Sequence, residues 1–189
     1  MAGDVNVLVI CGSLRKGSYN AAVARALPAL APSNMKLKDA SSFGTFPLYN
    51  QDLKDASGEP SDVLTWASEI RNADGVIIVS PEYNWSIPGG LKNAIDWVSR
   101  VKDQPFANKA VCLQSCSMGI LGGARMQYHM RQSMVFLDAF VFNRPEVLVA
   151  QAQTKFDEKT GELKDEATRK IVKEQLEAFA KFMAMVGKA

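Results

Sequence analysis

The chain has 189 residues, 47% hydrophobic and 22% charged, and its 22 Lys+Arg against 20 Asp+Glu give a formal net charge of +2. That length favours one domain with a sizeable core, and that composition excludes wholesale disorder. So balanced a charge argues against a dedicated nucleic-acid or polyanion binder, and no apolar run reaches the roughly 18 residues of a membrane-spanning helix.

In chain order, Val5–Cys11 (VNVLVIC) reads as a strand buried on both faces, short, continuous and β-branched. The segment before it carries no basic leader, so a cytoplasmic location is expected. A helix is predicted over Tyr19–Leu30, then an alternating, more exposed strand over Met35–Ala40. Ser41–Pro60, punctuated by Pro47, Gly58 and Pro60, reads as a long loop, and Ser61 or Asp62 is placed to cap a helix over Ser61–Asn72. Gly75–Ser80 (GVIIVS) is a second buried strand, and Pro88 stands ahead of a helix over Gly90–Val101. Ala110–Ser115 is a third buried strand, the Gly119–Gly123 cluster breaks the chain, and a helix follows over Ala124–Leu137. A last strand is expected from Phe140–Phe142 running into Glu146–Ala150, then a polar hairpin or loop over Gln153–Lys164, then a helix over Glu166–Val186. Strand and helix alternate throughout, which implies an α/β protein with a parallel sheet covered by helices on both faces, here read as one domain over residues 1–189.

Cys11, Cys112 and Cys116 are odd in number and lie in apolar segments, which suits reduced, buried thiols. The spacing of Cys112 and Cys116 on a strand is a poor match to a zinc knuckle, and no metal site is expected.

In such sheets ligands bind beyond the carboxyl ends of the strands, so three loops carry the chemistry. The first, GSLRKGSYN over Gly12–Asn20, offers hydroxyls at Ser13 and Ser18, an amide at Asn20, cations at Arg15 and Lys16, and a helix N-terminus, which together make a phosphate site. It lacks the lysine of a Walker A loop and is not GxGxxG. The second, Ser80–Gly90, places Tyr83 and Trp85 among prolines and glycines, with Glu82 and Asn84 as polar edges, a surface for a planar ring. The third, Ser115–Ala124, is rich in glycine, whose backbone N–H groups approach a ligand closely.

GSLRKGSYN, PEYNWSIPGGLKNAIDW and SMGILGGARMQYHMRQ, in that order, resemble the NADPH-dependent FMN reductase family, and within it the bacterial chromate and quinone reductases. The likeness spans roughly residues 5 to 150. It implies a flavodoxin-like three-layer sandwich with a five-stranded parallel sheet of order 2-1-3-4-5. It also implies FMN, its phosphate on Ser13, Arg15, Lys16, Ser18 and Asn20, and its ring along Pro81, Glu82, Tyr83 and Asn84 with Ser117 and Gly119 at the other edge. Trp85 departs from the smaller ring or Tyr more usual there. The implied reaction is ping-pong: hydride passes from NADPH or NADH to flavin N5, then two electrons pass to a quinone, chromate or another oxidised small molecule. No catalytic side chain is required, and backbone N–H groups at Ser117–Gly119 are placed to stabilise charge near flavin N1. Arg100 is a candidate for steering an anionic acceptor or NAD(P)H, though Asp96 four residues earlier offers it a helical pair. His129, the single histidine, reads as structural or surface, while Arg125, Tyr128 and Glu146 look by resemblance like interface residues of a homodimer or homotetramer. The competing readings are a flavodoxin-type single-electron carrier, disfavoured by the balanced charge and the Arg15–Lys16 pair, and a flavin-free phosphate binder, disfavoured by the aromatic loop.

Overall fold

The structure, a computed structural model, describes residues 3–187. Strands β1 (Val5–Cys11), β2 (Met35–Asp39), β3 (Gly75–Ser80), β4 (Ala110–Cys116), β5 (Phe140–Val141) and β6 (Val147–Val149) form one parallel sheet of order β2-β1-β3-β4-β5, with β6 also on β4. The expected flavodoxin-like order is therefore present. Successive strand residues face opposite sides, so Val7, Val9, Ile77, Val79 and Cys112 pack on one face while Leu8, Ile10, Val76, Ile78 and Leu113 pack on the other. Helices α1 (Tyr19–Ala26) and α6 (Glu166–Val186) cover the first face; α3 (Ser61–Asn72), α4 (Gly89–Val98) and α5 (Ala124–Phe136) cover the second. Every residue of β3 and β4 is buried, which is why both are mostly apolar, the polar Ser80, Gln114 and Ser115 falling at or near their carboxyl ends.

Four expectations are corrected. The last strand is two short ones, pairing Phe140–Val141 with Ala110–Val111 and Val147–Val149 with Gln114–Cys116. Pro145, with no N–H to give a ladder, lies in the excursion between them, and Gln175 of α6 donates to its carbonyl at 2.8 Å. Helix α2 (Gln51–Ser57) interrupts the long loop; none of its seven residues is buried, and it stands on an Asn50 cap and a Gly58 stop at φ 75°. Neither Ser61 nor Asp62 caps α3, whose cap position is Pro60; Asp62 instead accepts from Thr45 Oγ1 at 2.7 Å. Helix α1 ends at Ala26 and tightens into a 3-10 turn over Leu27–Ala29 around Pro28. The Gln153–Lys164 segment contains the end of a 3-10 turn (Ala152–Thr154) and a hairpin closed by a Phe156–Leu163 bridge.

No helix among the described residues is long and apolar enough to cross a membrane. All three thiols are free; burial raises the Cys11 and Cys112 thiols and pushes Cys116 up to about 12. The thiolate is the nucleophile, so at mildly alkaline pH iodoacetamide is expected to spare Cys112 and Cys116 in the folded protein and to label all three after urea, counted by mass spectrometry.

Candidate active site

Three loops leave the carboxyl ends of β1, β3 and β4 side by side. The first begins at Gly12, whose N–H still donates to Val79 O at 2.8 Å. A Cβ at Gly12 would overlap Ser80 Oγ and come within 2.7 Å of Ser80 Cβ and 2.9 Å of Leu91 Cδ2, so glycine is what lets the first two loops touch. Ser18 is buried and caps α1, its Oγ accepting from the N–H groups of Asn20 (3.2 Å) and Ala21 (3.5 Å). Ser13 Oγ accepts from Arg15 N–H at 3.4 Å. Arg15 and Lys16 are exposed and form no ion pair among the described residues, and the N–H groups of Leu14, Lys16, Gly17 and Tyr19 have no acceptor there. Two free cations, free amides and a helix N-terminus fit a dianionic phosphate.

Asn20 behaves differently from the expectation. Its Nδ2 donates to Cys116 O and its Oδ1 accepts from Cys116 N–H, both at 2.9 Å, and the residue is 3% exposed. The amide is thus consumed in fastening α1 to the end of β4, and Asn20 shapes the phosphate loop without offering it a side chain.

In the second loop, Tyr83 and Ser86 exchange two backbone hydrogen bonds at 3.0 Å around Asn84 and Trp85. The Glu82 carboxylate turns away from this rim: it accepts from Met126 N–H at 3.1 Å and lies 3.6 Å from Arg125. Tyr83 and Trp85 remain exposed, and the Arg125 guanidinium stacks 4.0 Å from the Trp85 ring centroid. His129 Nδ1 lies 2.9 Å from Ser86 Oγ, so the histidine read as a bystander touches this loop.

The third loop is tied to β6. Ser117 N–H donates to Val149 O at 2.9 Å and Gly119 N–H to Ser117 Oγ at 3.1 Å, so neither amide is free for flavin charge; Met118 N–H has no acceptor among the described residues. Gly122 and Gly123 are left-handed, and Ser115 Oγ donates to Gly122 O at 2.6 Å while accepting from Gln127 Nε2 at 2.9 Å. The buried Gln127 carried no sequence signal beyond its place on an amphipathic helix.

Arg100 is not brought to these loops. Helix α4 starts beside them and runs ten residues, about 15 Å, before Arg100 follows its end. Asp96 pairs with Lys92 at 2.5 Å, not with Arg100. Glu146 lies 3.9 Å from Arg131, and Tyr128 is exposed. Among the described residues no group of three or more His, Cys, Asp or Glu side chains is placed to hold a metal ion.

A phosphate cradle beside an aromatic shelf and a glycine-rich rim fits a mononucleotide flavin. The family model described as NADPH-dependent FMN reductase matches residues 5–154. The chain belongs to that family. This FMN reductase is 50% identical over 186 residues to the quinone reductase of Escherichia coli (strain K12), covering 98% of this chain and 99% of that one. It is 45% identical to an NAD(P)H-dependent FMN reductase of Pseudomonas aeruginosa, over 94% of this chain and 95% of the other. Among solved structures, the flavoenzyme NAD(P)H:(acceptor) oxidoreductase FerB of Paracoccus denitrificans superposes with a TM-score of 0.85 at 30% identity, over 96% and 98% of the two chains. FMN is therefore the cofactor and NAD(P)H the electron donor, and the electron-carrier reading is not favoured.

Proposed function

We propose that this FMN reductase passes electrons to quinones and related oxidised small molecules, a reading supported by the exposed Tyr83–Trp85 shelf beside the phosphate loop and by the quinone reductases among its relatives. When bound, FMN supplies the two-electron chemistry, accepting hydride from a nicotinamide and delivering electrons to the acceptor. The chain's own work is to hold and shape. Ser13, Arg15, Lys16 and Ser18 with the free loop amides bind the phosphate; the backbone of Pro81–Asn84 supports one edge of the ring; Ser117 Oγ, Met118 N–H and Gly119 line the other. The Ser86 hydroxyl and the His129 ring, 2.9 Å apart, belong to the turn that carries the aromatic shelf, and the redox chemistry is carried by the flavin.

The test is an anaerobic absorbance titration. A yellow protein bleached by NADPH or NADH and restored by a quinone is the expected result; a yellow protein indifferent to both donors overturns it. Arg15→Ala is expected to weaken FMN binding about tenfold or more, as for loss of a charge-assisted hydrogen bond, and unchanged affinity would remove Arg15 from the cradle.

A homodimer or homotetramer belongs to the same reading. Tyr128, Val135 and Phe136, exposed at 58%, 77% and 78%, make an apolar stripe along α5 that a second copy would cover. A monomeric mass by light scattering overturns that part. Three free thiols suit a reducing cytoplasm, where fractionation is expected to recover the protein.

A further inference from the structure

The turn Tyr83–Ser86 is built against its residue preferences. Both central residues have positive φ, Asn84 at 48° and Trp85 at 64°. Asparagine tolerates the left-handed region; a tryptophan there is an outlier that persists only where the surroundings over-determine it. The two hydrogen bonds inside the turn belong to any hairpin of this type, so the further constraint comes from elsewhere.

Helix α5 supplies it. Arg125 and His129, four residues apart, sit one above the other on the same face and meet the loop on both sides of the strained pair. Arg125 stacks on Trp85 and faces Glu82, Met126 N–H holds the Glu82 carboxylate, and His129 Nδ1 reaches Ser86 Oγ at 2.9 Å. The loop is thereby gripped before and after its two left-handed residues.

We propose that His129 is a positioning residue of the flavin site: its ring nitrogen holds Ser86 and with it locks the non-glycine left-handed turn on which the flavin edge rests. This builds on the reading of the second loop as the flavin support. His129 transfers no proton in this role, and it is exposed, so replacing it leaves the core intact.

The experiment uses the full-length protein and four variants: His129→Leu, His129→Asn, Ser86→Ala and the His129→Leu/Ser86→Ala double. One readout is the FMN dissociation constant of the stripped protein. The other is acrylamide quenching of Trp85 in the flavin-free protein; in the single chain Trp85 is 66% exposed while Trp66 and Trp97 are 0% exposed, so quenching reports Trp85. Each variant is compared with the parent at equal mass by light scattering, so that subunit association does not enter the difference. His129→Leu is expected to raise the FMN dissociation constant about fivefold, the size of one lost neutral hydrogen bond, and to change Trp85 quenching. His129→Asn, whose amide can reach Ser86, is expected within about twofold of the parent. The double variant is expected to be no worse than either single one, because both remove the same contact. Parent-like binding and quenching in His129→Leu overturns the proposal, as do single losses that multiply in the double. A parent protein that takes up no FMN overturns the flavin reading instead, and Trp85 quenching alone then decides whether His129 holds the turn.

Discussion

Gly122→Ala is expected to lower stability by about 3 kcal/mol and the melting midpoint by roughly 6–12 °C. Two costs add. Gly122 has φ +59°, where an L side chain loses about 1–2 kcal/mol. Its Cβ would also stand 2.7 Å from Leu148 C, 2.8 Å from Leu148 O and 3.0 Å from Ala150 N. Those are backbone atoms of β6 and the residue after it, held to β4, and they cannot rotate aside as a side chain would. If the third loop retreats instead, the buried Ser115 Oγ loses Gly122 O, its acceptor at 2.6 Å, while Gln127 keeps its bonds to Ser115 Oγ and Val147 O. FMN affinity is therefore expected to fall along with stability. A thermal melt within about 2 °C of the parent would show that the loop slides on β6 at little cost, contrary to this packing.

The second large effect is expected at Asn20. Truncation to alanine strands both the N–H and the C=O of Cys116, and in a site this dry each orphaned group costs about 1–3 kcal/mol. A loss of roughly 2–6 kcal/mol in urea unfolding follows. Because the pair of bonds is what presses the start of α1 against the end of β4, the same substitution is expected to weaken FMN binding more than Ser13→Ala, although Ser13 is a proposed phosphate ligand and Asn20 is not. The reverse order would show that the Asn20 side chain is not the strut of this loop. Asn20→Asp is a sharper version: the carboxylate keeps an acceptor for Cys116 N–H but sets negative charge against the Cys116 carbonyl, and is expected to be at least as damaging as alanine.

What the sequence displays and what it conceals divide along a physical line. The buried strands are legible because the runs Val7–Ile10 and Val76–Val79 meet apolar layers on both sides. Helix α2 is hidden because it buries nothing, so its seven residues carry no apolar period. The split of the last strand depends on which β4 residues it meets, a pairing that short strands do not advertise. At the site, Ser18 reads as a phosphate-loop hydroxyl, and its use as the cap of α1 is a local device that its place one residue ahead of the helix could have signalled. The engagement of Asn20 with Cys116, 96 positions away, and of Glu82 with Met126, 44 positions away, is decided by tertiary contact, and a polar side chain looks alike whether it faces a ligand or a neighbouring backbone. The distance of Arg100 was legible in principle: a residue just past a ten-residue helix that begins at a site must lie at the other end of it.

The two borders of the sheet bear on how this protein behaves when crowded. A free strand edge is a template on which another chain can add itself and begin aggregation. At one border β2 presents Lys36 and Lys38, whose charges any incoming strand would have to desolvate. At the other the chain runs straight for only two residues, swerves through Pro145, and returns for three. A guest strand finds too short a run there to zip against. One edge thus repels and the other interrupts, so the largely apolar strands between them are kept from recruiting their like.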